Sequence, residues 1–274
     1  MVGIGGRMNV AVENQQPLHI ACRQGFDDVI MLLIDKGADV NAVHGYDKTP
    51  LFYACQNGHF STVRLLIENG ARVDFRGAQG AAFLIAALES GHSDVVRFLI
   101  ENEADVNARG DNELSPLFLA SKMGHEPLAQ LLVDRGADVH TRDREGRTPL
   151  FSAAHPGIAN LLIKRGAEVN AKDKQGNTPL LIVAGGFHVE SRSFSDEGAD
   201  VSCGNESSNP PPLMTKCEPV AKLLIEKGAD INVKNSIGIT PISLALMRRG
   251  GKKLAKLLLE HGADFSASTE FGDK

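Results

Sequence analysis

The chain has 274 residues, 42% hydrophobic and 23% charged, the balance of a soluble globular protein and not of a disordered or membrane one. A formal charge of −5 argues against wholesale wrapping of nucleic acid, which needs a field of the opposite sign. Twenty-eight glycines, no tryptophan and two tyrosines point to many turns around an aliphatic core.

Met1 to Asn14 is a short segment without an apolar signal core, and Val2 breaks the myristoylation pattern. No apolar run reaches membrane-spanning length. Cys22, Cys55, Cys203 and Cys217 are too few and too far apart for a disulfide framework or a paired-ligand metal site. The chain therefore reads as soluble and cytoplasmic or nuclear, with no metal, no cofactor and no membrane contact.

From residue 15 to 186 the sequence is periodic. Pro17, Pro50, Pro116 and Pro149 fall every 33 residues or a multiple of it, and Phe83 fills the vacant place. Each proline suits the first helical position, where its missing N–H has no intrahelical role, and Thr49, Thr148, Thr178 and Thr240 stand where a hydroxyl can cap the turn. Gly25, Gly58, Gly91 and Gly124 then break the first helix, and a second apolar stripe follows, as in Val63 to Ile67. Gly-Ala-Asp at Gly37, Gly136, Gly228 and Gly262 closes the second helix, and a polar loop comes next. Leu65 and Leu132 are expected in the stripe between repeats.

The register slips at Pro149 to Pro179, which are 30 residues apart because the turn between the helices is shortened. Residues 187–217 lack the Leu-Leu-Ile stripe and carry Ser, Asn and a Pro run at Pro210 to Pro212. Two readings stay open there. The segment is either a degenerate repeat or an insertion in a helix pair that Glu218 to Ile225 completes. Residues 218–266 return to the pattern, with Lys252, Lys253, Lys256 and Glu260 as the polar face of a terminal cap, and 267–274 form a tail.

The pattern resembles the ankyrin repeat: Thr-Pro-Leu at Thr49, Thr148 and Thr178, Gly-His at His59, His92 and His125, and Gly-Ala-Asp-Val-Asn-Ala from Gly37. The resemblance implies an all-α ankyrin-repeat solenoid of seven or eight helix-pair repeats with β-hairpin fingers. It also implies a protein-binding module working through fingers and concave groove. Hydroxylation of Asn41, Asn107, Asn170 or Asn232 belongs to the same resemblance, beside the plainer role of a loop asparagine.

Catalysis finds little support. His59, His92 and His125 recur once per repeat, as packing groups do and catalytic groups do not. Cys22 and Cys55 also recur one repeat apart, as small core residues do. No Walker loop, dinucleotide fingerprint or nucleophile elbow is present.

The positions a repeat does not need are the loop tips and the ends of the first helices. The tips offer Tyr46 and Lys48, then Arg76 and Gln79, then Arg109, Asn112 and Leu114. Arg142, Arg144 and Arg147 follow, with Lys172 and Lys174 on the next tip, making a basic band. Lys122 and Met123 end a first helix beside it. These residues suggest a monomeric scaffold or adaptor for another protein, binding an acidic segment at the band and an apolar group near Tyr46 or Leu114. A regulator of transcription or signalling that masks its target is the alternative, and an unrecognised enzyme a distant one.

Overall fold

A computed structural model of the chain describes residues 16–44, 48–73, 83–110, 113–186, 217–248 and 250–265. Within them lie thirteen α-helices: α1 (Pro17–Gln24), α2 (Asp27–Asp35), α3 (Pro50–Asn57), α4 (Phe60–Glu68), α5 (Phe83–Glu89), α6 (Ser93–Glu101) and α7 (Pro116–Met123). Then follow α8 (Glu126–Asp134), α9 (Pro156–Lys164), α10 (Pro179–Gly185), α11 (Cys217–Glu226), α12 (Pro241–Met247) and α13 (Lys252–Glu260). A 3-10 turn, Pro149–Ser152, precedes α9. Among the described residues this is an all-α fold of short antiparallel helix pairs.

Two compact units divide the chain, Met1–Ala120 with Pro127–Asp138, and Ser121–Glu126 with Val139–Lys274. In the first unit α1, α3 and α5 form one row of first helices, and α2, α4 and α6 a parallel row of second helices. In the second unit α9, α11 and α13 make the row of second helices, faced by the 3-10 turn, α10 and α12. The core between the rows is aliphatic and small: Leu51, Ala54, Val63 and Leu66 in one repeat, Leu180, Val183, Val220 and Leu224 in another, each no more than 1% exposed. Leu132 is fully buried as the periodicity predicts, whereas Leu65 is half-buried and Leu66 holds the inner position.

Helix starts follow the capping expectation at three of four threonines. The hydroxyl of Thr49 accepts the N–H of Phe52, that of Thr178 the N–H of Leu181, and Thr240 forms a reciprocal capping box with Ser243. Thr148 departs from it. Its buried hydroxyl caps nothing, because the following segment is a tight 3-10 turn of four residues and not an α-helix. The shortened repeat has lost most of its first helix, not merely the turn after it. His155 caps α9 instead, its Nδ1 accepting the N–H of Gly157 at 3.2 Å.

Glycine is required where α1 ends. Gly25 has φ of 73°, and a Cβ there would stand 2.8 Å from Nδ1 of the His59 ring. That ring also reaches the carbonyl of Arg23 through Nε2 at 3.0 Å. His59 is thus a brace between the first two repeats.

In the sixth pair α10 packs on α11, as α3 packs on α4, although the two are separated by the stretch ending at residue 216. That stretch, from 187 to 216, lies outside the described residues, as does the tail after 265. The polar cap expected of the last repeat is incomplete. Lys252, Lys253, Lys256 and Glu260 face solvent, but so do Leu246, Met247, Leu259 and Phe265.

Candidate functional site

Fingers four to six are each built by a side chain, not by a strand ladder. In the fourth finger Oδ1 of Asp143 accepts the N–H groups of Glu145 at 2.9 Å and Arg147 at 2.8 Å. Asp143 Oδ2 takes the guanidinium of Arg147 at 2.9 Å. Asp173 does the same in the fifth finger with Gln175 and Asn177, and Asn235 in the sixth with Ile237 and Ile239. Such Asx turns specify a tip without a hairpin of any length. Gly146, with φ of 81°, turns the chain back at the tip, and the N–H of Asp143 closes the loop on the Arg147 carbonyl at 3.0 Å. Among the described residues the lone β feature is the bridge between His44 and Lys48 in the first finger.

Fingers four to six, all in the second unit, are joined tip to tip. Lys174 donates its N–H to the carbonyl of Glu145 at 2.9 Å, and Ser236 donates its N–H and hydroxyl to the carbonyl of Gln175 at 2.9 and 2.8 Å. The Asn235 amide adds a bond to Oδ1 of Asn177 at 3.0 Å. The result is a hydrogen-bonded edge whose backbone geometry is held by the chain itself.

On this edge Arg142, Arg144, Lys172 and Lys174 are exposed. Arg142 also turns Nη1 to the carbonyls of Gly146 at 2.7 Å and Lys172 at 3.0 Å, so it braces two fingers while its charge stays at the surface. Arg147 is committed to Asp143 and only 29% exposed. It supports the finger more than it faces outward. Two residues stand out only in the structure: Lys234, exposed at the position of Arg142 and Lys172 in the sixth finger, and Ile237, 52% exposed at its tip. The long interval between Asn177 and Lys234 hid this register; aligning Lys234 to Gly238 with Arg142 to Gly146 would have revealed it.

Other candidates are placed separately. Lys48 holds its ammonium 4.4 Å from the centre of the Phe52 ring. Arg109 donates to the carbonyl of Glu113 at 3.1 Å, the same within-finger brace as Arg142 makes. Leu114 is half-buried, and Lys122 and Met123 stand exposed at the end of α7. Tyr46, Arg76, Gln79 and Asn112 lie outside the described residues.

The four asparagines of the Val-Asn positions share one geometry. Asn41 donates its amide to the carbonyl of Gly70 at 3.0 Å and accepts the N–H of Arg72 at 2.9 Å. Asn107 clamps Gly136 and Asp138, Asn170 clamps Gly228 and Asp230, and Asn232 clamps Gly262 and Asp264 in the same two-bond way. Each amide ties its repeat to the next one, satisfying polar groups at the end of the following second helix.

Elsewhere burial acts on Cys22, Cys55 and His19. Burial pushes the thiols of Cys22 and Cys55 far up, the Asp27 carboxylate adding to the effect at Cys22. Burial likewise lowers the pKa of His19, whose Nε2 reaches the carbonyls of Ala42 at 3.0 Å and Lys48 at 3.2 Å. A neutral ring donating from Nε2 ties α1 to the first finger. Among the described residues no group of three or more His, Cys, Asp or Glu side chains is placed to hold a metal ion. No described helix is long and apolar enough to cross a membrane.

A family model described as "Ankyrin repeats (3 copies)" matches residues 4–77 and 83–173, and one described as "Ankyrin repeat" matches 237–270. Among solved structures, the human ASB11 ankyrin repeat domain superposes with a TM-score of 0.68 at 26% sequence identity. That match covers 91% of this chain and 99% of the other. No curated protein matches the sequence.

Proposed function

The chain belongs to the ankyrin-repeat family, and from that premise we propose that it is a non-catalytic scaffold or adaptor that takes an acidic segment of a partner protein along fingers four to six. Ankyrin repeats are in general protein–protein interaction modules. One observation carries the finer reading: Arg142, Lys172 and Lys234 repeat a cation at one register position, on finger tips already fixed to one another by backbone hydrogen bonds. A preorganised row of charges binds without the entropic cost of ordering a loop. The band is local, since the whole chain carries a charge of −5, so it favours acidic segments over polyanions at large. Met123, 43% exposed at the end of α7, is an apolar contact in the same unit.

Cross-linking with a lysine-reactive reagent in the native cell, followed by peptide mass spectrometry, tests this reading. Partner cross-links should concentrate at Lys172, Lys174 and Lys234. Cross-links confined to Lys222 of α11 and Lys256 of α13 would place the partner elsewhere.

We also infer that residues 187–216 are an insertion within the sixth repeat. Supporting this, α10 packs on α11, and Asn170 makes its clamp to Gly228 and Asp230, as Asn41 does to Gly70 and Arg72. Hydroxylation at the Cβ of Asn41, Asn107, Asn170 or Asn232 is compatible with both amide bonds of the clamp. An added oxygen in the intact mass of natively expressed protein would register it.

A further inference from the structure

The three fingers of the second unit share one backbone and differ in chemistry. Each opens with a cation, Arg142, Lys172 or Lys234, and is turned by the side chain at the next place, Asp143, Asp173 or Asn235. Each then carries a glycine at positive φ, Gly146, Gly176 or Gly238. The turning side chain and the glycine are what such a tip requires. The other tip places are not fixed by the turn, and they change in one direction. Two residues after the cation stand Arg144, Lys174 and then Ser236, all exposed. One place further on stand Glu145, Gln175 and then Ile237, and past the glycine Arg147, Asn177 and then Ile239. From finger four to finger six the edge passes from charged through polar to apolar.

The exposure of Ile237 belongs to its place in the finger. Gln175 holds the same place on finger five, which is hydrogen-bonded to a finger on either side, and it too is exposed. Isoleucine supplies neither the side-chain hydrogen bonds nor the backbone freedom that suit a turn. Left 52% exposed, its side chain contributes little burial to the fold. Yet it stands on the cationic edge itself, three residues after Lys234 and next to Ser236, whose N–H meets the Gln175 carbonyl at 2.9 Å.

The hydrogen bonds between tips also set a spacing. The carbonyls of Glu145 and Gln175 are joined by one 2.9 Å hydrogen bond and two residues of chain, a step of at most about 10 Å. Gln175 and Ile237 are joined in the same way through Ser236. One finger therefore matches about three residues of an extended partner segment.

Resting on the reading that fingers four to six take an acidic segment, we propose that this segment is ordered: its acidic residues lie over fingers four and five, and one large apolar side chain, about three residues beyond the last acid, lies on Ile237. The cations attract acidic segments of any order, so Ile237 is the residue that selects among them.

Short fluorescent peptides with a run of Glu and Asp, titrated with the full chain, test this. Two carry Leu beyond the run, one at the N-terminal and one at the C-terminal end, a third carries Leu inside the run, and a control has Ala in its place. One of the end-placed peptides should bind the wild type at least about threefold more tightly than the control, and Leu inside the run should bring no gain. Ile237→Ser should abolish the preference and Ile237→Leu should keep it, both with the melting temperature of the wild type. No preference on the wild type, an equal gain from Leu inside the run, or a preference that Ile237→Ser leaves intact would overturn the proposal. If the Ala control still binds in a salt-sensitive way, the acidic-segment reading survives that outcome. If neither the control nor the Leu peptides bind in a salt-sensitive way, both fall.

Discussion

Lys174 donates its backbone N–H to the carbonyl of Glu145 at 2.9 Å, so the tips of two consecutive fingers are one hydrogen-bonded structure. The geometry of Glu145 itself depends on Asp143, a nearly buried carboxylate that accepts its N–H. Replacing Asp143 by alanine removes three hydrogen bonds, including the charged one to Arg147. The expected loss is about 1–3 kcal/mol in urea unfolding, with Asp143→Asn retaining part of it.

The clamp from Asn170 to Gly228 and Asp230 predicts how the chain tolerates surgery. Joining residue 186 to 217 through a turn of a few residues should leave thermal unfolding cooperative, because α10 and α11 already pack together. Asn170→Ala, by contrast, should cost about 1–2 kcal/mol by losing both bonds. A shortened chain that no longer folds would show that the stretch is a structural repeat.

Core substitutions separate Leu66 from Leu65. Leu66→Ala and Leu132→Ala each open a cavity at a fully buried site and should cost about 2–5 kcal/mol by chemical denaturation. Leu65→Ala, at a half-buried site, should cost clearly less.

His19 gives the fold a pH dependence. Its pKa is lowered in the native state, first by burial, so the neutral ring is the folded form. As pH falls below the unfolded value of about 6.5, the unfolded chain takes up the proton first. Stability from this group is therefore full above that pH and is lost as pH drops towards the native pKa. Unfolding in urea at pH 7.5 and 5.5 should show this decline, and His19→Gln should reduce it.

Most of the repeat architecture was legible in the sequence because its markers are local. Pro17 and Pro50 set helix starts, Gly25 and Gly58 set helix ends, and the interval between them is constant. What escaped was the outcome of competition between residues distant in sequence. Thr148 has the same neighbours as Thr49, yet the shortened repeat leaves it facing a 3-10 turn. Lys234 stands at the register position of Arg142 and Lys172, but that register becomes visible only once α10 is seen to pack on α11. Conversely, Arg147 reads as an outward charge in sequence and is spent on Asp143 in the structure.

Finger-tip charge decides the central claim. A fluorescent Glu- and Asp-rich peptide carrying one aromatic residue is titrated with the wild-type chain and with Arg144→Glu/Lys172→Glu/Lys174→Glu, at low and physiological salt. The wild type should bind with an affinity that falls as salt rises, and the triple variant should bind at least tenfold more weakly, about 1.4 kcal/mol, with its melting temperature unchanged. Equal affinity of the two proteins for the peptide would contradict the account.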